Sequence, residues 1–195
     1  LARTKFMLND LEDTLYSQGL YYQNKFKTNR EQDLYTAVND WENLRKGVDI
    51  NYDQISRISS YMSEKHFEKN CLKYMDKDAR HTMQSLRERM WLKTNDVWYN
   101  AFDNAPQKKV RYIRRMRENG EKLNSSPRIT LSTIHGVKGG EQDNVVLLTD
   151  LSRNTQRNYE QNPDDENRLF YVGATRTKNH LHIIRPKDIY KGYKI

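Results

Sequence analysis

Ile129-Thr-Leu-Ser-Thr-Ile-His135, Gly136-Val-Lys138-Gly139-Gly-Glu141 and Asn144-Val-Val-Leu-Leu148 follow one another closely, and their reading decides the fold. The first segment alternates apolar and hydroxyl side chains, many of them β-branched, which predicts a strand. Three glycines between His135 and Asp143 predict a loop whose backbone N–H groups can approach a ligand closely. The same loop reads equally as a tight turn, and it lacks the Gly-Lys-Ser/Thr order of a Walker A loop. Asn144 to Leu148 is a second strand. Asn162-Pro163-Asp164-Asp165 then opens a helix with a capping residue, an early proline and acids in the first turn, and the helix runs to about Thr175. Leu181-His-Ile-Ile184 closes the region as another strand. Strand, glycine-rich turn, strand, helix, strand is the pattern of an α/β domain with a parallel sheet.

Within that helix Leu169, Val172, Gly173 and Arg176 share one face. Gly173 costs about 1 kcal/mol against alanine in a helix interior, so something is expected to pack close to it. Arg176 stands at the helix end, where it either complements the carboxyl-terminal dipole or meets a bound anion.

Working outward, Leu8, Leu11 and Leu15 predict a helix over residues 5–18, capped by Gly19, and residues 20–26 an aromatic strand. Leu34, Val38, Trp41 and Leu44 stripe a further helix, and Ile55, Ile58 and Met62 another from Asp53. A long charged helical stretch is expected from Asp76, with Met83, Leu86 and Met90 inward, and Asn95-Asp96 recaps it before Trp98 and Phe102. Gln107 to Asn119 is the most basic segment. As a helix it sets Lys108, Arg111, Arg114 and Arg115 opposite Val110, Ile113 and Met116, either as a solvated face or as a phosphate-tracking one.

The composition bounds the partners. Of 195 residues only 35% are hydrophobic, and 34 Lys+Arg against 26 Asp+Glu give a formal charge of +8. With a mean hydropathy of -1.07, such a chain has a thin core and suits a polyanion. The single cysteine, Cys71, has no internal partner for a disulfide, and no apolar run approaches a membrane span. A cytoplasmic setting without membrane or disulfides is expected. His180 and His182 share one side of a strand and read as packing residues; no metal site is expected. Trp41 reads as core, and Trp91 and Trp98 as core or boundary. The chain opens at Leu1 without a methionine, which reads as a piece of something longer.

The motifs become specific when taken together. Thr133-Ile-His135-Gly-Val-Lys138-Gly139-Gly-Glu141 with its following strand resembles motif V of UvrD/Rep-type superfamily 1 DNA helicases. Asp165-Glu-Asn-Arg168-Leu-Phe-Tyr171-Val-Gly-Ala-Thr175-Arg176 resembles motif VI, and Leu1-Ala-Arg3-Thr4 with Gly19-Leu-Tyr-Tyr22 is a looser match upstream. The resemblance implies a RecA-like second motor domain of the P-loop NTPase class, called 2A, over residues 1–27 and 124–195. Residues 28–123 would form an inserted, all-helical, reduced 2B subdomain. It further implies Arg176 as an arginine finger, and Gly139 and Glu141 at the nucleotide, Glu141 on the ribose. Thr133, His135, Lys138 and Arg3, with the basic-helix residues Lys108, Arg111 and Arg115, would lie on DNA, while Arg168 would brace its motif.

The implied cofactors are ATP and magnesium, the metal held by an N-terminal motor domain of the same protein, whose Walker segments belong upstream of Leu1. Implied partners are that domain and single-stranded or partly duplex DNA. Gly140 and Gln142 replace the bulky apolar residues common beside the motif V glutamate, and Asn167 replaces a frequent arginine. A non-catalytic nucleic-acid-binding or scaffold module with the same fold is the alternative, and a helicase–nuclease fusion a third possibility.

Overall fold

A computed structural model of the chain describes residues 1–27, 31–123, 125–137, 139–188 and 190–194. Lys138, expected at DNA, lies outside the described residues. The chain divides into two compact units, one of Leu1–Ser17, Tyr21–Thr28 and Ser126–Ile195, the other of Gln18–Leu20 and Asn29–Ser125.

The first unit is built on short parallel strands. β1 (Tyr22–Asn24) pairs with β2 (Ile129–Leu131), and β3 (Gln142–Leu148) with β4 (Thr177–Ile184). The chain's first residues join the two pairs. The Ala2 amide donates to the Ser132 carbonyl and the Ile134 amide to the Ala2 carbonyl, at 3.2 and 2.9 Å; on the other side the Leu148 amide donates to the Leu1 carbonyl at 2.9 Å. Both links have parallel geometry, so Leu1 and Ala2 serve as a central strand that periodicity over two residues had no means of revealing.

Helices cover both faces. α1 (Asn9–Gln18) follows a 3-10 turn at Lys5–Leu8, and Leu8, Leu11 and Leu15 pack with Ala2, Leu131 and Leu148. On the other face Phe170, Leu169 and Val172 of α8 (Asp164–Ala174) pack with Ile134 and Leu147. α7 (Arg153–Gln161), capped by the Ser152 hydroxyl on the Thr155 amide, lies between β3 and α8 in sequence. Sequence periodicity missed it because Tyr159 is its only large apolar residue. The helix expected at Asn162 begins at Asp164; Asn162 ends α7 instead, while its side chain still accepts from the Asp164 amide at 3.3 Å. Behind α8 the chain end returns: Tyr193 stacks on Phe170 with ring centroids 4.0 Å apart, and its amide donates to the Thr149 carbonyl.

The second unit is helical. α2 (Gln32–Arg45) buries Leu34, Val38, Trp41 and Leu44, and α3 (Tyr52–Ser60) buries Ile55 and Ile58 after a reciprocal cap between Asn51 and Gln54. The Trp41 indole donates to the Asp96 carbonyl at 3.0 Å, so this tryptophan is core, and Trp98 is buried as well. The long charged helix expected from Asp76 is absent: only α4 (Met83–Glu88) forms, capped by Thr82 and Ser85. Upstream of it His81 pairs in a bridge with Ile50, which helical backbone would not allow. Met90, expected inward, is exposed. α5 (Trp98–Ala101) starts after Val97 rather than at Asn95-Asp96, and α6 (Gln107–Glu118) completes the unit.

α6 is held by the short connection at residues 18–20. The Tyr112 hydroxyl donates to the Leu20 carbonyl at 3.0 Å, and the Asn119 amide group to the Gln18 and Gly19 carbonyls at 2.8 and 3.2 Å. Gly19 has φ +68, and a Cβ there would stand 2.4 Å from the Arg115 Cβ and 2.7 Å from the Arg115 carbonyl carbon. Only glycine combines the left-handed turn with that approach.

Candidate functional site

Arg176 follows the carboxyl end of α8, beside the glycine-rich loop. Its carbonyl accepts from the Gln142 amide at 2.9 Å, tying the start of β3 to the entry of β4. Its Nε donates to the Val172 carbonyl at 3.0 Å, one of the carbonyls a helix end leaves open. The outer nitrogens are held loosely, one 3.5 Å from the Gly140 carbonyl and the other 3.4 Å from the Thr175 hydroxyl. A guanidinium anchored through Nε, with its outer N–H groups at long range, is placed to grip an anion. Gly139 has φ +82 with open space beside its Cβ position, and Glu141 is exposed next to it.

What sets this geometry is the seating of α8. Glu166, Phe170 and Gly173 form its buried stripe. A Cβ on Gly173 would lie 3.2 Å from Leu147 Cδ1 and 3.3 Å from Ile134 Cγ2, so the close packing expected there is present. Glu166 is 5% exposed and takes a bidentate pair from Arg3, whose Nε and Nη2 reach its two carboxylate oxygens at 2.7 and 2.8 Å. Two of the three Arg3 nitrogens thus hold α8 to the central strand. Arg168, expected as the brace, is exposed; Glu166 and Arg3 supply the brace instead.

Thr133 and His135 stand elsewhere. Thr133 bridges Ala2, and Leu1 bonds to Val146 and Leu148, which sets Thr133 toward the carboxyl end of β3. Arg176 and Gln142 lie at the amino ends of β4 and β3. The seven residues of β3 separate the two groups by about 20 Å at the usual rise per residue. The residues expected at the nucleotide and the strand-end residues expected at DNA therefore stand at opposite ends of a strand.

The second end gathers residues the sequence did not single out. Thr133 Oγ1 accepts from the Gly136 amide at 3.2 Å, and His135 is exposed beside it. Lys25 Nζ lies 3.4 Å from the Gly136 carbonyl, and Lys5 Nζ sits 4.2 Å above the Phe26 ring. A Cβ on Gly136 would come within 2.6 Å of Ser132 Oγ, a buried hydroxyl without a hydrogen-bond partner among the described residues. The signal available was position: Lys25 and Phe26 follow β1, and strand ends are where open parallel sheets bind ligands.

On the helical unit, Lys108, Arg111, Arg114 and Arg115 are exposed on α6, while Val110, Tyr112, Ile113 and Met116 are buried. Arg114 pairs with Glu118 and covers Tyr99 at 4.9 Å. His180 and His182, expected as packing residues, are exposed on β4. Among the described residues no group of three or more His, Cys, Asp or Glu converges as a metal cage, and no helix is long and apolar enough to cross a membrane.

The family model for the UvrD-like helicase C-terminal domain matches residues 5–188. The chain belongs to that family. This UvrD-like domain is therefore a C-terminal region of the UvrD/Rep-type superfamily 1 helicases, with the RecA-like α/β architecture of that family. Neither a curated protein nor a solved structure matches the UvrD-like chain at a stringent threshold.

Proposed function

We propose that this chain is the second motor half of an ATP-dependent DNA helicase that translocates on single strands, residues 29–125 serving as its helical insertion. The observation that carries the reading is the junction of Arg176 with the glycine-rich loop, where a guanidinium anchored through Nε on the Val172 carbonyl brings one outer nitrogen 3.5 Å from the Gly140 carbonyl. Arg176 acts as the arginine finger on the terminal phosphate, stabilising charge as it develops. Glu141 accepts from the ribose, and the Gly139 backbone leaves room for the nucleotide.

These residues fit the phosphate and sugar of ATP. They do not fit a magnesium cage, since no such cluster stands among the described residues, and no step here runs through the metal. When bound, ATP supplies the phosphoanhydride whose cleavage resets the grip on DNA. At the far end of β3, Thr133 and His135, with Lys25, meet the strand backbone; Arg3, and Lys138 outside the described residues, keep the DNA contacts that the motif resemblance implies. Lys108, Arg111 and Arg115 track phosphates on the helical insertion. β3 is the stiff element between the two ends, so a change in phosphate occupancy at Arg176 shifts the strand grip.

The test is Arg176→Ala in a protein carrying this chain beside its first motor domain. DNA-stimulated hydrolysis should drop about 10³-fold or more, with nucleotide affinity changed little. Wild-type turnover in that variant would sink the finger, whereas absence of DNA-stimulated hydrolysis in the unsubstituted protein would favour a non-catalytic binding module.

A further inference from the structure

The last strand of the first unit is bare. Residues 178–185 are all exposed, among them Leu181, Ile183 and Ile184 at 37, 42 and 45%. Leu181 and Ile183 lie in register with Val145 and Leu147 of β3, which are buried, so the cover of that face fades from β3 to β4. On the other face Val146, in register with His182, is 46% exposed.

The backbone is open as well. The Thr149 amide donates to the Ile184 carbonyl at 3.1 Å, which turns the polar backbone groups of Ile184 and, two residues back, His182 toward β3. Alternation turns those of Leu181 and Ile183 outward, and among the described residues no backbone bond meets them. Sheet edges are usually blunted by bulges, prolines or lysines. Here a register shift opposite Gln142 and Asn144 bounds the open stretch at one end and Pro186 at the other, and His180 to Ile184 hold no such device.

Charge selects what can cover this edge. From Asn167 to Lys187 the sequence holds no acid, while Lys178 and Arg185 flank the open stretch and His180 and His182 share one face of it. On β3 the one acid is Asp143, at the register shift. A second copy of the chain would bring the same cations to the edge; an acidic strand complements them.

We propose that the outer edge of β4 accepts an extended segment of a partner protein in which acidic and apolar residues alternate. Its backbone pairs with Leu181 and Ile183, its apolar side chains widen the row those two begin, and its carboxylates lie over His180 and His182 between Lys178 and Arg185.

The experiment uses the full 195-residue chain and a fluorescent peptide of about eight residues alternating Val and Glu, long enough to span the open stretch. Anisotropy should show saturable binding. N-methylating the peptide amides on one edge should weaken it about tenfold on an unaltered protein, and Ile183→Pro should do the same, because that amide faces away from β3. His180→Glu/His182→Glu should also weaken it about tenfold by setting like charges opposite. No binding of the alternating peptide overturns the proposal. So does equal binding of a peptide with the same residues in two blocks, or of the N-methylated one, since either marks charge attraction without strand pairing. A wild-type dimer in sedimentation that Ile183→Pro dissociates would give the edge to a second copy and overturn the acidic partner. Each outcome leaves the reading of Arg176 untouched.

Discussion

Replacing Gly19 by alanine perturbs two terms that can be separated. The residue sits at φ +68, where a Cβ costs about 1–2 kcal/mol. The added carbon would also stand 2.4 Å from the Arg115 Cβ, 2.7 Å from the Arg115 carbonyl carbon and 2.8 Å from the Met116 amide nitrogen. Two of these are backbone atoms of α6, so relief requires the helix to shift. Overpacking of this kind costs about 1–3 kcal/mol. Together the terms predict a loss of about 2–5 kcal/mol.

Gly47→Ala is the internal control, because Gly47 has φ +86 and nothing within 4 Å of its Cβ position. It should show the conformational term alone. Urea unfolding followed by circular dichroism gives both values. The shift of α6 should also disturb its carbonyl clamp, the bonds from Tyr112 and Asn119 to residues 18–20. A Gly19→Ala chain no less stable than Gly47→Ala would refute the close approach and the seating of α6 built on it.

Other consequences are more compact. Arg3→Ala leaves the Glu166 carboxylate buried and unpaired, which should cost about 3–5 kcal/mol. The double variant Arg3→Ala/Glu166→Leu should recover much of that in a thermal melt, and strict additivity would contradict the pair. Desolvation pushes the Asp103 carboxyl up, but bonds from the Ser63 hydroxyl and amide, with nearby His66, outweigh it and hold its pKa below 3.8. Its stabilising contribution is thus complete above 3.8 and fades as pH falls through the lowered value. Asp103→Asn should therefore be destabilising at neutral pH and converge on wild type in acid; a gap constant with pH would contradict this. Neutralising Lys108, Arg111 and Arg115 together should reduce the slope of log affinity for DNA against log salt by about 2–3. An unchanged slope would return α6 to plain solvated surface.

The sequence by itself determined the local pieces. The leucines of α1, the stripe of α2 and the apolar face of α6 are periodic because each helix buries one side, and that period is written in the chain. The glycine-rich loop and the helix ending at Arg176 were equally legible, since motifs V and VI hold their chemistry in short contiguous runs. Overreach came where propensity met long-range pairing. The stretch after Asp76 has helical composition, but His81 is taken by a bridge to Ile50, and the helix shrinks to α4. α7 went unseen because a helix with one large apolar residue carries almost no period.

Only the tertiary structure decided how the pieces meet. Leu1 and Ala2 become a central strand because β2 and β3 each present an edge to them, a pairing that spans more than 130 residues of sequence. Arg3, read from the motif resemblance as a DNA contact, is also brought by the fold to Glu166, 163 residues away, where two of its nitrogens seat α8. The glycine-rich loop and Arg176 stay together because the Gln142 amide and the Arg176 carbonyl bond across the start of two parallel strands. Thr133, which follows β2 and bridges Ala2, stands toward the opposite end. Local sequence encodes periodicity and turns; contacts between distant segments depend on which edges and faces remain unsatisfied once those elements have formed.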